Sequence, residues 1–411
     1  MKHLRTVSTR RLLALIAASL VIVGGGTAIA VAASGNAPTP KPEPLAQAIH
    51  NGLGAPAITG ITARVTFANH LIDSSSIQGS DPIISGASGR LWLDPVNHRL
   101  RLELQSDHGD AQVVVNNGSF WVYDPMANTV YRGKVPADGA KMGTGARSKP
   151  ADHALPTVAA IESDLNRLMG HANVSGAIPS DVAGEPAYTV RISPKHDGGL
   201  LAAGELAWDA THGVPLRFAI YARGSTTPVI ELKVTDISFG AVLASDLVVK
   251  PLSGAKVVNV SVPAGADSAN SKAKQAASPA HRKYAGVTGV AAVSQHLHFA
   301  LVAPSTLVGL PRQSVRLLDW SGSPAALVTY GQNLGGIAVI EQPAGSAKAS
   351  IPAAKGDHAG LNLPTVSINR ATGQELDTAL GTVVRFTRGG VAYTVLGSVP
   401  PPAAEAAARE L

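Results

Sequence analysis

The chain has no cysteine in 411 residues. That excludes a disulfide framework, a thiolate nucleophile, Cys-ligated zinc and a lipid-modified N-terminal cysteine. Aromatic residues are scarce at 4%, and charged residues make up only 15%. The surplus of 34 Lys and Arg over 28 Asp and Glu is spread along the chain, and its densest cluster is Lys2, Arg5, Arg10 and Arg11. Bases and phosphates are gripped by basic patches interleaved with aromatics. No such patch exists here, so nucleic acid is not an expected partner. Also missing are G-x-x-x-x-G-K-[ST], G-x-G-x-x-G, H-E-x-x-H and G-x-S-x-G. No nucleophile–base set is visible, and the expectation is a protein that is not an enzyme, with no cofactor and no metal.

What the chain does have begins with an apolar run. Leu12 to Ala33 contains no charge over 22 residues. At 1.5 Å per helical residue it spans roughly 33 Å, enough for a bilayer core of about 30 Å. Basic residues before it and none just after place residues 1–11 in the cytoplasm and everything from Ser34 onward outside. An uncleaved single-pass anchor in the cell membrane is one reading. A secreted protein is the other, with a signal peptide cut after Ala28-Ile29-Ala30 or Val31-Ala32-Ala33.

Further organisation follows from composition. Residues 34–44 form a Pro-rich spacer that lifts the folded part off the membrane. A folded region covers 45–263. Residues 264–283 hold almost no large apolar side chain and read as a flexible linker. A smaller α+β region covers 284–411. Two domains suit a chain longer than one core usually supports.

Within the first region, Ser88 to Arg132 alternates apolar and polar residues in short runs. Turn-forming pieces separate them: Asp94-Pro95-Val96-Asn97, Asp107-His108-Gly109-Asp110, Asn116-Asn117-Gly118 and Asp124-Pro125. A period of two gives a strand one apolar face, and Asn-Gly favours a tight hairpin. The stretch is an antiparallel meander. Helices are expected over Leu45 to Leu53 and Thr157 to Gly170, the latter capped by Thr157 with Ile161, Leu165, Leu168 and Met169 on one face. Strands resume over Ala187 to Ile192, Gly204 to Asp209, Pro215 to Ala222 and Val229 to Ser238. Gly133 to Pro150 reads as a loop.

Metal chemistry has thin support. His296-Leu297-His298 would place two rings on one face of a strand, but no third ligand sits nearby and a solvated face is the plainer reading. Asp94, Asp124 and Asp209 stand at turns, where a carboxylate satisfies local N–H groups.

The segments GRLWLDPVNHRLRLEL and GDAQVVVNNGSFWVYDPMANTVYR, with VAGEPAYTVRISPK from Val182 and GELAWDATHGVPLRFAIYARGSTTPVIELKVTDISFG from Gly204, resemble the LolA/LolB-type family of extracytoplasmic lipoprotein and lipid carriers. The resemblance covers residues 45–263. It implies a bacterial cell-envelope protein whose fold is a curved antiparallel β half-barrel lidded by helices. It also implies lipid or lipoprotein acyl chains as partners on the apolar face. Candidate lining residues are Leu91, Leu93, Leu102, Leu104, Val113, Val115, Trp121, Tyr123, Tyr188, Val190, Ile192, Trp208, Phe218 and Ile220. The competing reading is a plain core, filled from within by the helix around Ile161 and Leu165.

In the C-terminal region, the stretch from Ser314 suggests two or three strands. The stretch from Thr382 suggests a hairpin through Gly389-Gly390 and a short helix after Pro402. This ending is similar to small domains of Gram-positive anti-sigma and sporulation proteins. That similarity implies an alternative function: an envelope-stress sensor whose partner is a membrane-bound anti-sigma factor.

Overall fold

The computed structural model describes residues 39–72, 86–105, 110–125, 127–134, 155–251, 253–260, 286–320, 323–345 and 363–411. The apolar run 12–33, residues 34–38 of the Pro-rich spacer, the linker 264–283, the turn residues 107–109 and residues 135–150 of the expected loop lie outside them, while Gly133 and Lys134 belong to a strand rather than to that loop. Among the described residues no helix is long and apolar enough to cross a membrane.

Helix α1 (Leu45–Leu53) is followed by β1 (Ile61–Asn69), β2 (Ala87–Asp94), β3 (Arg99–Leu104), β4 (Ala111–Asn116), β5 (Ser119–Asp124) and β6 (Thr129–Lys134). Helix α2 (Val158–Met169) leads to β7 (Ala172–Val174), β8 (Ile178–Val182), β9 (Glu185–Pro194), β10 (Leu201–Asp209), β11 (Pro215–Ala222) and β12 (Ile230–Phe239). The short α3 (Ala244–Leu247) and β13 (Lys256–Asn259) complete this region. All thirteen strands form one sheet, in the order β13-β6-β5-β4-β3-β2-β1-β12-β11-β10-β9-β7, with β8 also on β9. Every pairing is antiparallel except β13 on β6.

The turns are built as their residues require. Asn117 and Gly118 both have positive φ (46° and 75°) between the paired Asn116 and Ser119, the geometry of a two-residue hairpin turn. Asp94 accepts the Asn97 N–H at 3.0 Å, and Asp124 accepts that of Ala127 at 3.0 Å. Thr157 accepts the Ala160 N–H at 3.2 Å and starts α2.

The sheet curls into a half-barrel. Register shifts at Arg64/Val65, Leu201/Ala203 and Ala207/Trp208 add local twist and bend the strands. At Gly89 a Cβ would run into the Glu103 carbonyl, so only glycine allows β2 to approach β3 this closely.

The second region starts with α4 (Val290–Ser294), then β14 (Thr306–Leu307), β15 (Leu310–Trp320), β16 (Ser323–Tyr330) and β17 (Ile337–Pro343). After it come β18 (Thr365–Ile368), β19 (Ala371–Thr378), β20 (Gly381–Arg388), β21 (Val391–Gly397) and α5 (Pro401–Glu410). These eight strands form a second sheet in the order β14-β15-β16-β17-β21-β20-β19-β18. Gly389 and Gly390, at φ 57° and 77°, turn the β20–β21 hairpin. One face buries Val328, Tyr330, Val339, Val384, Phe386 and Val395 under α5 and the segment 297–303. Ala404, Ala407 and Ala408 bring α5 close to that face. His296 and His298 are not on a strand; they follow α4 in an irregular segment, and the His296 ring contacts the Ala292 carbonyl oxygen at 2.9 Å.

The second sheet docks on one end of the half-barrel. Ala379 donates its N–H to the Leu71 carbonyl at 2.8 Å, and Leu200 donates to Ser398. This is the end at which β1 finishes, β9 turns into β10 and β11 turns into β12.

Candidate functional site

Residues paired directly across strands point to the same side of a sheet. Following the register, one apolar face runs without interruption from Val122 through Val113, Leu102, Leu91 and Ala63 to Ile237. A parallel rung runs from Phe67 through Leu232, Phe218 and Leu206 to Val190. The next rung, nearer the second domain, is Ile230, Ile220, Gly204 and Ile192.

Twelve of the fourteen candidate lining residues lie on this face: Leu91, Leu93, Leu102, Leu104, Val113, Val115, Tyr188, Val190, Ile192, Trp208, Phe218 and Ile220. Trp121 and Tyr123 do not. Trp121 pairs with Val114 and Tyr123 with Gln112, which places both on the opposite face with Arg101 and Trp92. Phe120 to Tyr123 is a continuous apolar run, so alternation could not choose between the two parities. The hairpin register chose Phe120 and Val122.

The face divides by exposure. On β3 and β4, Leu102, Leu104 and Val113 are buried with Leu100 and Val122 as ordinary core. Around α1, Tyr188, Val190 and Trp208 are buried against Ala48, and the Tyr188 and Trp208 ring centroids lie 6.0 Å apart. Tyr188 donates its hydroxyl to the Lys41 carbonyl at 2.6 Å, and burial pushes its pKa up to about 12. Between these two zones, Ile192, Leu206 and Phe218 are 37%, 39% and 43% exposed. Leu206 and Phe218 are direct partners, and Ile192 is diagonal to Leu206. Gly204 carries no side chain between Ile192 and Ile220, and a Cβ built there meets nothing closer than the Ile220 Cδ1 at 3.6 Å. The result is an apolar strip with a dip in it.

The helix α2 does not fill the half-barrel. It lies against α1 and the edge strand β7. Only Ile161 of its apolar face is buried; Leu168 and Met169 are exposed.

No family model matches the chain, and no curated protein matches it. Solved structures do. MucB in complex with MucA(peri) aligns over 89% of this chain and 94% of its own, at 16% identity and a TM-score of 0.36. An uncharacterised conserved protein from Thermus thermophilus aligns over 53% of this chain and 97% of its own, at 14% identity and a TM-score of 0.32. A LolA superfamily protein from Nitrosomonas europaea aligns over 50% of this chain and 97% of its own, at 9% identity and a TM-score of 0.19. All three TM-scores are below 0.5.

The reverse face of the same strands is charged. Glu205 accepts Arg191 at 2.6 Å, Arg217 at 2.7 Å and the Tyr221 hydroxyl at 2.9 Å. Arg217 also donates to Glu231 at 2.6 Å. Burial alone would raise the Glu205 carboxyl, yet the hydrogen bonds from Arg217, Arg191 and Tyr221 hold it below its ordinary value. This network ties β9, β10, β11 and β12 together from behind.

Other ionisable residues are engaged locally. Asp209 is fully buried and accepts the Thr211 N–H at 2.7 Å and the His212 N–H, while the His212 ring stacks on Phe239 with centroids 3.9 Å apart. Among the described residues no group of three or more His, Asp or Glu could hold a metal.

Sequence reasoning missed Leu206 and Gly204. Leu206 was within reach, because it shares the period-two phase of Trp208. Gly204 carried no signal: an apolar face is recognised by side chains, and its contribution is the lack of one.

Proposed function

We propose that the protein is an extracytoplasmic, membrane-anchored binder of lipid or of the acyl chains of a lipoprotein, and that it performs no chemistry. The observation that carries this reading is the strip formed by Ile192, Leu206 and Phe218, exposed on the apolar face of a curled sheet with the dip at Gly204. Exposed contiguous apolar surface on a protein marks a place that something else covers. An acyl chain suits such a surface. It needs apolar contact and no hydrogen bonds, and each buried CH₂ contributes about 0.8 kcal/mol. The anchored location rests on the charge-free run Leu12 to Ala33 preceded by Arg10 and Arg11.

Native mass spectrometry of the full chain, extracted from membranes in mild detergent, tests this. A discrete added mass that partitions into organic solvent, and that is lost in Gly204→Leu, supports the reading. A Cβ at 204 comes no closer to backbone than 3.9 Å, to the Ala219 carbonyl oxygen, so the substitution adds its bulk to the dip and loss of binding reports occupancy. A clean apo mass that persists after incubation with phospholipid vesicles overturns lipid binding. The strip would then serve a protein partner, and the alternative role on an anti-sigma factor would lead.

A further inference from the structure

Two carboxyl groups are buried in the apolar face of the second sheet, and each stands under a different covering element. Glu341 on β17 is fully buried and pairs in register with Ala326 and Tyr393. Its Oε2 accepts the Val302 N–H at 3.0 Å, while its Oε1 has no hydrogen-bond partner. Val302 lies in the segment 297–303, whose Leu297, Phe299, Leu301 and Ala303 pack on the same core. Glu375 on β19 is 7% exposed, pairs with the core residue Val384, and has an unpartnered Oε2. It stands beside Glu405 of α5, the other cover.

A buried carboxylate with an open lone pair and no cation is unfavourable, so each group favours its proton. The surroundings agree. Tyr330 and Tyr393 face Glu341, and the Tyr330 hydroxyl is itself unpartnered. Arg312 lies beside Tyr330 but donates to the Ala303 carbonyl. Arg388 stacks over Phe386 and Tyr393, 5.8 and 5.7 Å from their centroids. Near Glu375 are the negative groups Glu405 and Asp377, and Glu405 is paired with Arg409. Arg385 belongs to the other face by register, opposite Gln374 and Thr394. A further acidic contact, Glu410 accepting the Val308 N–H at 2.7 Å, also holds α5 but from the exposed side.

We propose that the second domain carries a proton-dependent latch: neutral Glu341 and Glu375 let the segment 297–303 and α5 close over the sheet, and ionisation, which leaves a buried charge that the single Val302 N–H does not offset at Glu341, loosens both covers. Burial pushes the Glu341 carboxyl up to about 7, and burial followed by the Glu405 charge raises that of Glu375. A folded value above the unfolded one means that the folded state binds more protons between the two. The stabilisation is therefore complete below the ordinary carboxylate value and is lost as pH rises through the folded one. The device sits in the domain that abuts the exposed strip, and it does not depend on what the strip binds.

Hydrogen exchange of the full chain at about pH 5 and about pH 8, corrected for intrinsic rates, reads the latch directly. Protection of 297–303 is expected to fall at least about tenfold over that range and protection of α5 to fall in the same direction, while β16 stays unchanged. In Glu341→Gln the response of 297–303 disappears and that of α5 persists; Glu375→Gln gives the reverse. Flat wild-type protection, or a response that survives in both variants, overturns the proposal. Should a variant fail to fold, carboxyl carbon titration of the wild-type chain decides. A Glu341 midpoint coincident with the loss of protection supports the latch, and a midpoint in the ordinary carboxylate range overturns it.

Discussion

The Leu200 N–H is shared between two oxygens of Ser398, its carbonyl at 3.0 Å and its hydroxyl at 2.9 Å. The same hydroxyl donates to the Leu380 carbonyl at 2.7 Å. One serine at the end of β21 thus ties the β9–β10 connection of the first sheet to the β19–β20 turn of the second. Close backbone approaches reinforce the joint. Gly199 has φ 60° and packs on Ser398, and a Cβ at Gly335 would collide with the Asp197 carboxylate.

Gly199→Ala, whose Cβ would meet the Ser398 carbonyl oxygen on a left-handed backbone, is therefore expected to loosen the two domains from each other without unfolding either. Calorimetry should resolve one wild-type transition into two, with Ser398→Ala showing a milder form of the effect, about 1 kcal/mol for the lost hydroxyl bonds.

At the other end of the strip, α1 presses on Trp208. A Cβ at Gly52 would lie 3.2 Å from the indole nitrogen, and one at Gly213, where φ is 67°, would collide with the Gly52 carbonyl. Trp208→Ala should cost about 3–5 kcal/mol by the cavity it leaves. Gly213→Ala should destabilise by more than about 1 kcal/mol, because the left-handed backbone and the close approach add. Chemical denaturation of the two variants checks both values.

Phe218 separates binding from stability. Because it is exposed, Phe218→Ser should change the unfolding free energy by under about 1 kcal/mol while sharply reducing retained lipid in native mass spectra. Equal losses in both readouts would make Phe218 a core residue instead.

The Glu205 network predicts acid sensitivity in the first domain. Its carboxyl is held below the ordinary 4.5, so its contribution is present above that value and fades as pH falls through the folded one. Glu205→Gln should lower stability at neutral pH by roughly 2–4 kcal/mol. It should also flatten the acid limb below pH 4.5 relative to wild type. Thermal unfolding followed across the acid range reads both.

Much of this architecture is written locally. The meander from Ser88, the Asn117-Gly118 turn, the Thr157 cap and the Gly389-Gly390 hairpin depend on neighbours in sequence, and each appears where its residues require it. Some elements were not legible. β7, β8 and β13 are short, and β13 exists because it can pair in parallel with β6, a strand far away in the chain. The irregular path after α4 likewise follows from packing 297–303 on the second sheet, where Leu297 and Phe299 find their core.

The candidate site shows the same division. Sequence by itself determined that an apolar face exists and named most of its members, because a period of two is a property of adjacent residues. Only the tertiary structure decided which of them are covered. Leu102, Leu104 and Val113 became core, and Trp121 and Tyr123 went to the opposite side. Ile192, Leu206 and Phe218 stayed open around Gly204. Burial depends on what packs against a face from elsewhere in the chain, and alternation carries no record of that.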